Sequence, residues 1–183
     1  MNATNWLLGA PAGRTAEGGG GTEGASAGAR VAGVLSASGL LAAGLLHGVW
    51  VFTPWPLASR AEFATVVVGV EESQLPSKPA TFAVAALLCT AAWLVITATR
   101  PASPIGASRL VRIGLWTVSG VLAVRGLGGL AASGLALGNV PHAFRHWDLA
   151  LYSPLCVTLA SLTAYLALRT RHRRNCPTED RSS

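Results

Sequence analysis

The sequence predicts an all-α integral membrane protein: a bundle of four transmembrane helices that follows a disordered N-terminal tail. The chain of 183 residues is 51% hydrophobic and only 12% charged, whereas soluble domains carry about 25% charged residues. Its mean hydropathy is +0.46. Four apolar runs each approach the ~20 residues that a helix needs to cross the hydrocarbon core. Lipid is therefore the expected solvent for most of the chain.

The N-terminal segment, residues 1–28, is expected to be a disordered tail. It contains AEGGGGTEGASAGA, which cannot bury enough apolar surface to offset the entropy lost on ordering. No basic residues precede its short apolar stretch WLLGA, so it does not have the pattern of a signal peptide. The four-helix transmembrane domain then occupies residues 29–170, and residues 171–183 form a basic C-terminal tail.

Prolines and charges give the approximate ends of the spans, because a proline inside a helix removes a hydrogen bond and clashes with the preceding turn. The first run ends at TPWP, the second lies between Pro79 and Pro101, and the fourth begins at Asp148. The third contains Arg125 and several glycines. The predicted spans are about 30–52, 80–99, 110–132 and 148–168.

Lysine and arginine counts predict the orientation of the spans, because these residues are enriched in cytoplasmic loops. With the N-terminus inside, ten fall in inside segments and three in outside segments. The inside residues are Arg14, Arg30, Arg100, Arg109, Arg112, Arg169, Arg171, Arg173, Arg174 and Arg181, and the outside residues are Arg60, Lys78 and Arg145. We therefore predict a multi-pass plasma-membrane protein with both termini in the cytoplasm.

Two segments outside the spans bear on partners. The basic run RTRHRR directly follows the last span, so anionic lipid is its expected partner and nucleic acid is not. In the loop 53–79, FATVVVGV fits either a short strand or an interfacial segment, and periodicity does not decide between them. A homodimer or a partner membrane protein stays open.

Ionisable residues inside spans are costly and usually pair within the bundle. His47, Arg125, Asp148 and Tyr152 all fall in the predicted outer half of the bilayer. Arg125 keeps its charge, and Asp148 is the acid nearest to it in depth. Three interpretations of Asp148 stay open: a plain helix N-cap, a pair with Arg125 that only locks two helices together, or part of a ligand-facing site.

Metal and redox sites have little support in the sequence. His47 is better explained as a packing histidine than as a metal or haem ligand, and Tyr152 as an interfacial aromatic. The three cysteines form no C-x-x-C motif. No cofactor and no metal are predicted. The spacing Gly44-x-x-x-Gly48 and the glycines after Arg125 suggest close helix approach.

The segments LHGVW, VRGLGG and FRHWDLALYSPLC resemble a family of uncharacterised bacterial four-span membrane proteins, known as a domain of unknown function. The resemblance covers roughly residues 30–170 and implies the same architecture without supplying an activity. The matching residues are His47, Trp50, Arg125, Asp148, Tyr152, Ser153, Pro154 and Cys156. The chain departs from the family pattern at VFTPWP, where a Gly-Gly pair is usual, and at LGGL, where a polar residue is usual.

The sequence favours a non-enzymatic accessory or structural protein, because no catalytic motif is present. One alternative is a binder or transporter of a small anionic or hydrophobic ligand. A polar cluster of His47, Trp50, Arg125, Asp148 and Tyr152 would then line an outward-facing pocket. A second alternative, a membrane redox enzyme, would need an activated thiol or a metal.

Overall fold

The computed structural model describes residues 20–100, 108–137 and 140–172. Within these ranges every regular element is helical. Four helices are long and apolar enough to cross a membrane: Ala27–Trp50, Lys78–Thr99, Arg109–Gly134 and His142–Thr170. The predicted fold class, an all-α bundle of four membrane-length helices, is confirmed.

The described ranges contain six α-helices, in chain order α1 (Gly20–Trp50), α2 (Arg60–Phe63), α3 (Lys78–Thr99), α4 (Arg109–Gly134), α5 (His142–Trp147) and α6 (Ser153–His172). Two π-helical turns, Ala64–Val68 and Asp148–Tyr152, and one 3-10 turn, Glu72–Gln74, complete the elements. The side chains of Ser59, Ser77 and Ser108 cap α2, α3 and α4 by accepting a backbone N–H from the first turn. These caps satisfy donors that have no partner within the helix.

The last span begins earlier than the sequence predicted. Helix α5 starts at His142, after Pro141, and it continues through the π-helical turn into α6. Asp148 therefore lies inside a helix, and the interpretation of Asp148 as a plain N-cap is wrong. The predicted start at 148 followed from the first acid before a fully apolar run, but the polar residues before it are already helical.

The ends of the chain agree only partly with the predicted boundaries. Helix α1 includes residues 20–28, which the sequence assigned to the tail. The rest of that tail, residues 1–19, lies outside the described residues. Most of the predicted basic tail, residues 173–183, also lies outside them.

The bundle is built from two closely packed helix pairs, α1 with α3 and α4 with α6, and contacts between α1 and α6 join the pairs. In the first pair, a Cβ added to Gly44 would lie 2.9 Å from Cys89 Sγ and 3.3 Å from the Ala85 carbonyl oxygen. Gly44 therefore lets the helices approach closely. Gly48 has no neighbouring atom within 4 Å of such a Cβ, so only one of the two predicted small residues has this role.

The distribution of apolar side chains fits lipid as the solvent. Leu40, Val95 and Leu115 are fully buried between the helices. In contrast, Leu87 and Val124 are 69% and 75% exposed. Large apolar areas on the outside of a soluble protein would cause association, whereas on a membrane bundle they contact acyl chains.

Residues 51–77 connect α1 to α3, and we call the end of the bundle that carries them the loop end. The FATVVVGV stretch is helical and turn-like, so the strand alternative is wrong, and the interfacial alternative stays a prediction. Helix α2 runs into the π-helical turn Ala64–Val68, which ends at Gly69 with a φ of 79°. A side chain at Gly69 would also meet the ring of Phe144, at 2.7 Å. Glycine thus allows the loop to turn and to pack directly on α5.

Candidate ligand site at the loop end of the bundle

A buried carboxylate connects α4 to the last span. Asp148 is only 1% exposed. Its Oδ1 accepts hydrogen bonds from Arg125 Nη2 and from Ser153 Oγ, both at 3.0 Å, and its Oδ2 accepts from Ser133 Oγ at 2.6 Å. Burying a charge is tolerated when an opposite charge and several donors satisfy it. The Arg125–Asp148 pair suggested by the sequence is thus present, and two serines complete its surroundings.

Two glycines of α4 make room for this network. A Cβ at Gly129 would collide with Ser153 Oγ and would lie 2.5 Å from Arg125 Nη1 and 3.0 Å from Asp148 Oδ2. One turn earlier, a Cβ at Gly126 would lie 2.9 Å from the Val157 backbone nitrogen. The glycines that the sequence associated with close helix approach therefore bring α4 against the π-helical turn and the start of α6.

The π-helical turn has a local cause and a consequence for the network. Pro154 lacks an N–H and, inside a regular α-helix, would clash with the carbonyl four residues earlier. The wider turn at 148–152 precedes it, with the Ser153 N–H bonded to the Asp148 carbonyl oxygen. Side chains five apart, such as Asp148 and Ser153, point away from each other in an α-helix. In a π-helical turn they approach each other, and here they form a hydrogen bond.

Arg125 also lines a cavity at the loop end. The cavity has a volume of about 370 Å³. Its lining residues come from the end of α1, the loop, the start of α3, α4 and α5. They are His47, Trp50, Val51, Phe52, Thr53, Pro54, Arg60, Phe63, Val67, Val68, Leu75, Pro76, Lys78, Ala80, Thr81, Val84, Arg125 and Phe144. Arg125 thus bonds to the buried carboxylate, and its side chain, which is 46% exposed, also lines the cavity.

The family called "Protein of unknown function (DUF3995)" matches residues 40–163 of the chain. The chain belongs to this family. Among curated proteins and among solved structures, no match was found. The DUF3995 match includes the whole Asp148 network and every residue that lines the cavity. The resemblance read from the sequence is therefore confirmed at the level of the family.

The five residues predicted as a polar cluster in this DUF3995 member fall into two groups. His47, Trp50 and Arg125 line the cavity. Asp148 lies behind Arg125 and is closed off from solvent. Tyr152 is half-buried, its ring lies 6.2 Å from that of Phe144, and it does not line the cavity. The structure thus brings four of the five into one connected arrangement and places Tyr152 beside it.

His47 and Trp50 form the α1 wall of the cavity. His47 Nδ1 donates to the Ala43 carbonyl oxygen at 2.8 Å, which leaves Nε2 as its other hydrogen-bonding atom. The His47 and Trp50 rings are 4.9 Å apart, and Trp50 meets Phe63 edge to face at 5.1 Å. Trp50 Nε1 donates to the Trp55 carbonyl oxygen at 2.9 Å. These contacts hold the loop over the cavity.

Sequence reasoning missed Ser133 and the role of Arg145. Ser133 follows Arg125 by eight residues, which is two helical turns, so the two share a face of α4. That spacing could have identified it. Arg145 Nε donates to the Ser133 carbonyl oxygen at 3.1 Å and so ties α5 to the end of α4. No local signal indicates this contact, because it depends on how the two helices pack.

The described residues offer no arrangement typical of metal or thiol chemistry. They contain no group of three or more His, Cys, Asp or Glu side chains placed to hold a metal ion. Cys89 and Cys156 are free thiols there, and Cys89 packs against Gly44. The cavity lining combines Arg125, whose guanidinium can donate to an anion, with aromatic and aliphatic side chains.

Proposed function

We propose that this protein is a non-enzymatic membrane protein that binds a small ligand with an anionic group in the loop-end cavity. One observation carries the proposal: Arg125 is held by the buried Asp148 while its side chain, 46% exposed, lines the cavity. A guanidinium has five N–H donors, and among the described residues Arg125 uses one of them, toward Asp148. The other four donors have no hydrogen-bond partner among the described residues.

The depth of Arg125 supports a second partner for its guanidinium. Arg125 lies nine residues before the end of α4 at Gly134, or about 14 Å along the helix axis. A charged side chain at such a depth is costly in hydrocarbon unless it is paired and hydrogen-bonded. Asp148 offsets the charge of Arg125, but it accepts a hydrogen bond from only one side of the planar guanidinium. A carboxylate or phosphate in the cavity would accept from the other side.

The charges around the cavity support an anion as the ligand. Arg60 and Lys78 join Arg125 in its lining, and the lining residues include no acidic side chain. Arg60 lies 4.0 Å from Glu72, which is a long, exposed pair of little strength. The summed positive potential would raise the local concentration of anions at the cavity.

The size and the walls of the cavity support a small ligand that is partly apolar. A volume of about 370 Å³ is near the lower end of the range of about 300–1,000 Å³ that is typical of small-molecule sites. The rings of Trp50, Phe63 and Phe144 and the side chain of Val84 contribute apolar surface. An anion with a short apolar body matches both halves of this lining.

The distribution of basic residues supports placing the cavity at the outer face of the plasma membrane, with both termini in the cytoplasm. In this orientation Arg169 and the basic residues after it would contact anionic lipid on the cytoplasmic side. The cavity would then be reached from outside the cell or from the outer leaflet.

The test is to extract the protein in native lipid discs and to identify the retained small molecules by mass spectrometry. The comparison uses the double variant Arg125→Gln/Asp148→Asn, which removes both charges together and leaves no unpaired buried carboxylate. We expect an anionic molecule that the wild type retains and the folded double variant loses. Equal retention by both proteins would contradict the proposal.

An accessory or structural role is the second candidate. It is favoured by the complete satisfaction of the network: among the described residues, no buried side-chain N or O atom lacks a hydrogen-bond partner. The Asp148 network would then only fix α4 against α6. In the disc experiment this role predicts a protein partner that both the wild type and the double variant retain, because its binding would not depend on Arg125.

A further inference from the structure

Helices α3 and α4 contact each other at the end of the bundle that lies opposite the loop. A Cβ added to Gly114, in the second turn of α4, would lie 2.9 Å from Leu94 Cδ1. Leu94 belongs to the later part of α3. Gly114 therefore marks the face of α4 that is turned toward α3.

Arg125 lies on this same face of α4, but at the loop end. It follows Gly114 by eleven residues, which is close to three helical turns. If α3 and α4 stayed in contact, Arg125 would pack against the first part of α3. Instead the cavity lies between Arg125 and Val84, and these side chains are 46% and 42% exposed. The cavity thus occupies space between the two helices at the loop end, and the exposure of Arg125 and Val84 points to an opening on the flank of the bundle.

The loop covers the end of the cavity that would otherwise face water. Phe63 packs on Trp50, and the Trp50 indole is bonded to the loop at Trp55. Gly69 seats the loop on the ring of Phe144. In the membrane, two valines would border the flank opening with apolar surface. They are Val84 on α3 and Val121 on α4, which is 64% exposed.

We infer that the ligand is a single-chain amphiphile from the bilayer, which enters between α3 and α4 with its anionic headgroup on Arg125 and its chain along the apolar flank. This inference rests on the proposed function and names its ligand class. A carboxylate and a phosphate monoester share the required chemistry, because each presents oxygens that accept from the guanidinium. The volume of about 370 Å³ holds the headgroup and the first part of the chain, and lipid surrounds the rest.

The binding experiment uses discs of neutral phosphatidylcholine that hold the full-length protein. The probes are oleate and 1-oleoyl lysophosphatidate, which differ in the headgroup, and oleyl alcohol, which has the chain without a charge. Acetate and inorganic phosphate serve as water-soluble competitors in large excess. We expect one or both anionic amphiphiles to bind saturably and oleyl alcohol to bind about tenfold more weakly or worse. We expect the competitors not to displace them.

A matched pair of variants tests the route of entry. Val84→Trp narrows the opening and should weaken binding of the amphiphile by about tenfold or more. Ala86→Trp adds the same bulk two residues later, on the opposite side of α3. Ala86 is exposed and does not line the cavity, so this variant should leave binding unchanged. Thermal unfolding of both variants shows whether they are folded.

Two results would separate failure of this inference from failure of the proposed function. Full displacement of oleate by acetate or phosphate would overturn the inference that the ligand is an amphiphile, and so would an unaltered affinity of Val84→Trp for oleate. Either result would leave the proposed anion site in place. If no anion binds the wild type more tightly than Arg125→Gln/Asp148→Asn, both the inference and the proposed function are wrong.

Discussion

At the scale of single residues, the site depends on Asp148. Its carboxylate is buried and accepts from one arginine and two serines, so its charge is compensated by groups from both α4 and the last span. Position in the sequence suggested the arginine, because depth along two spans can be compared. The spacing of Ser133 from Arg125 was also readable, but the presence of a cavity beside Arg125 was not, because it depends on the packing of helices.

The first prediction concerns this pair. Asp148→Asn should lower the free energy of unfolding in detergent by about 3 kcal/mol, because removal of one partner from a buried ion pair leaves the other uncompensated. Adding Arg125→Gln to Asp148→Asn should restore part of the loss. The measurement is a double-mutant cycle of unfolding free energies.

The control is Glu72→Gln, which breaks the exposed pair with Arg60 at 4.0 Å and should change stability by less than about 1 kcal/mol. Additive effects of Asp148→Asn and Arg125→Gln would mean that the two side chains do not interact. A loss at Glu72 as large as that at Asp148 would show that the assay does not distinguish buried from exposed pairs.

At the scale of elements, the close contact between α4 and the last span is the feature that positions the site. Glycines 126 and 129 face Val157 and Ser153, and Pro154 is preceded by the π-helical turn that brings Ser153 to Asp148. The sequence indicated the four spans because composition and length are local properties. The predicted start of the last span is Asp148, because the helical residues before it, His142–Trp147, are too polar to be recognised as part of a span.

Adjacent glycines of α4 offer a second prediction. Gly129→Ala should destabilise the protein by about 1–3 kcal/mol, as overpacked cores do, because its methyl group would collide with Ser153 Oγ. A Cβ added at Gly128 would have no neighbouring atom within 4 Å. Gly128→Ala should therefore be neutral or stabilising by up to about 1 kcal/mol, since alanine favours the helix. Thermal unfolding of the two variants measures the difference. Equal effects at both positions would contradict the packing of α4 described above.

At the scale of the whole molecule, two helix pairs enclose a cavity at one end and display apolar side chains on the outside. The FATVVVGV segment illustrates what could not be predicted: its conformation depends on Gly69 seating it against Phe144, a contact with a helix far along the chain. Three short segments predicted a family of unknown function with four spans, and the match to DUF3995 over residues 40–163 confirms this prediction at the level of the family. The orientation in the membrane stays a prediction.

A reporter fusion tests that orientation. With ten Lys and Arg residues in the segments predicted inside and three in those predicted outside, a C-terminal fusion should report the cytoplasm. A reporter inserted after Ser73, an exposed loop residue, should report the opposite side. The reverse pattern would place the cavity on the cytoplasmic face.

The most direct test of the central claim is an experimental structure of the protein crystallised from a lipidic mesophase. The account predicts non-protein density in the loop-end cavity, at about 2.7–3.2 Å from the Arg125 guanidinium nitrogens, with Asp148 bonded on the other side. An Arg125 whose donors all contact protein atoms, next to a cavity closed by side chains, would contradict a ligand site and leave the Asp148 network as a packing device.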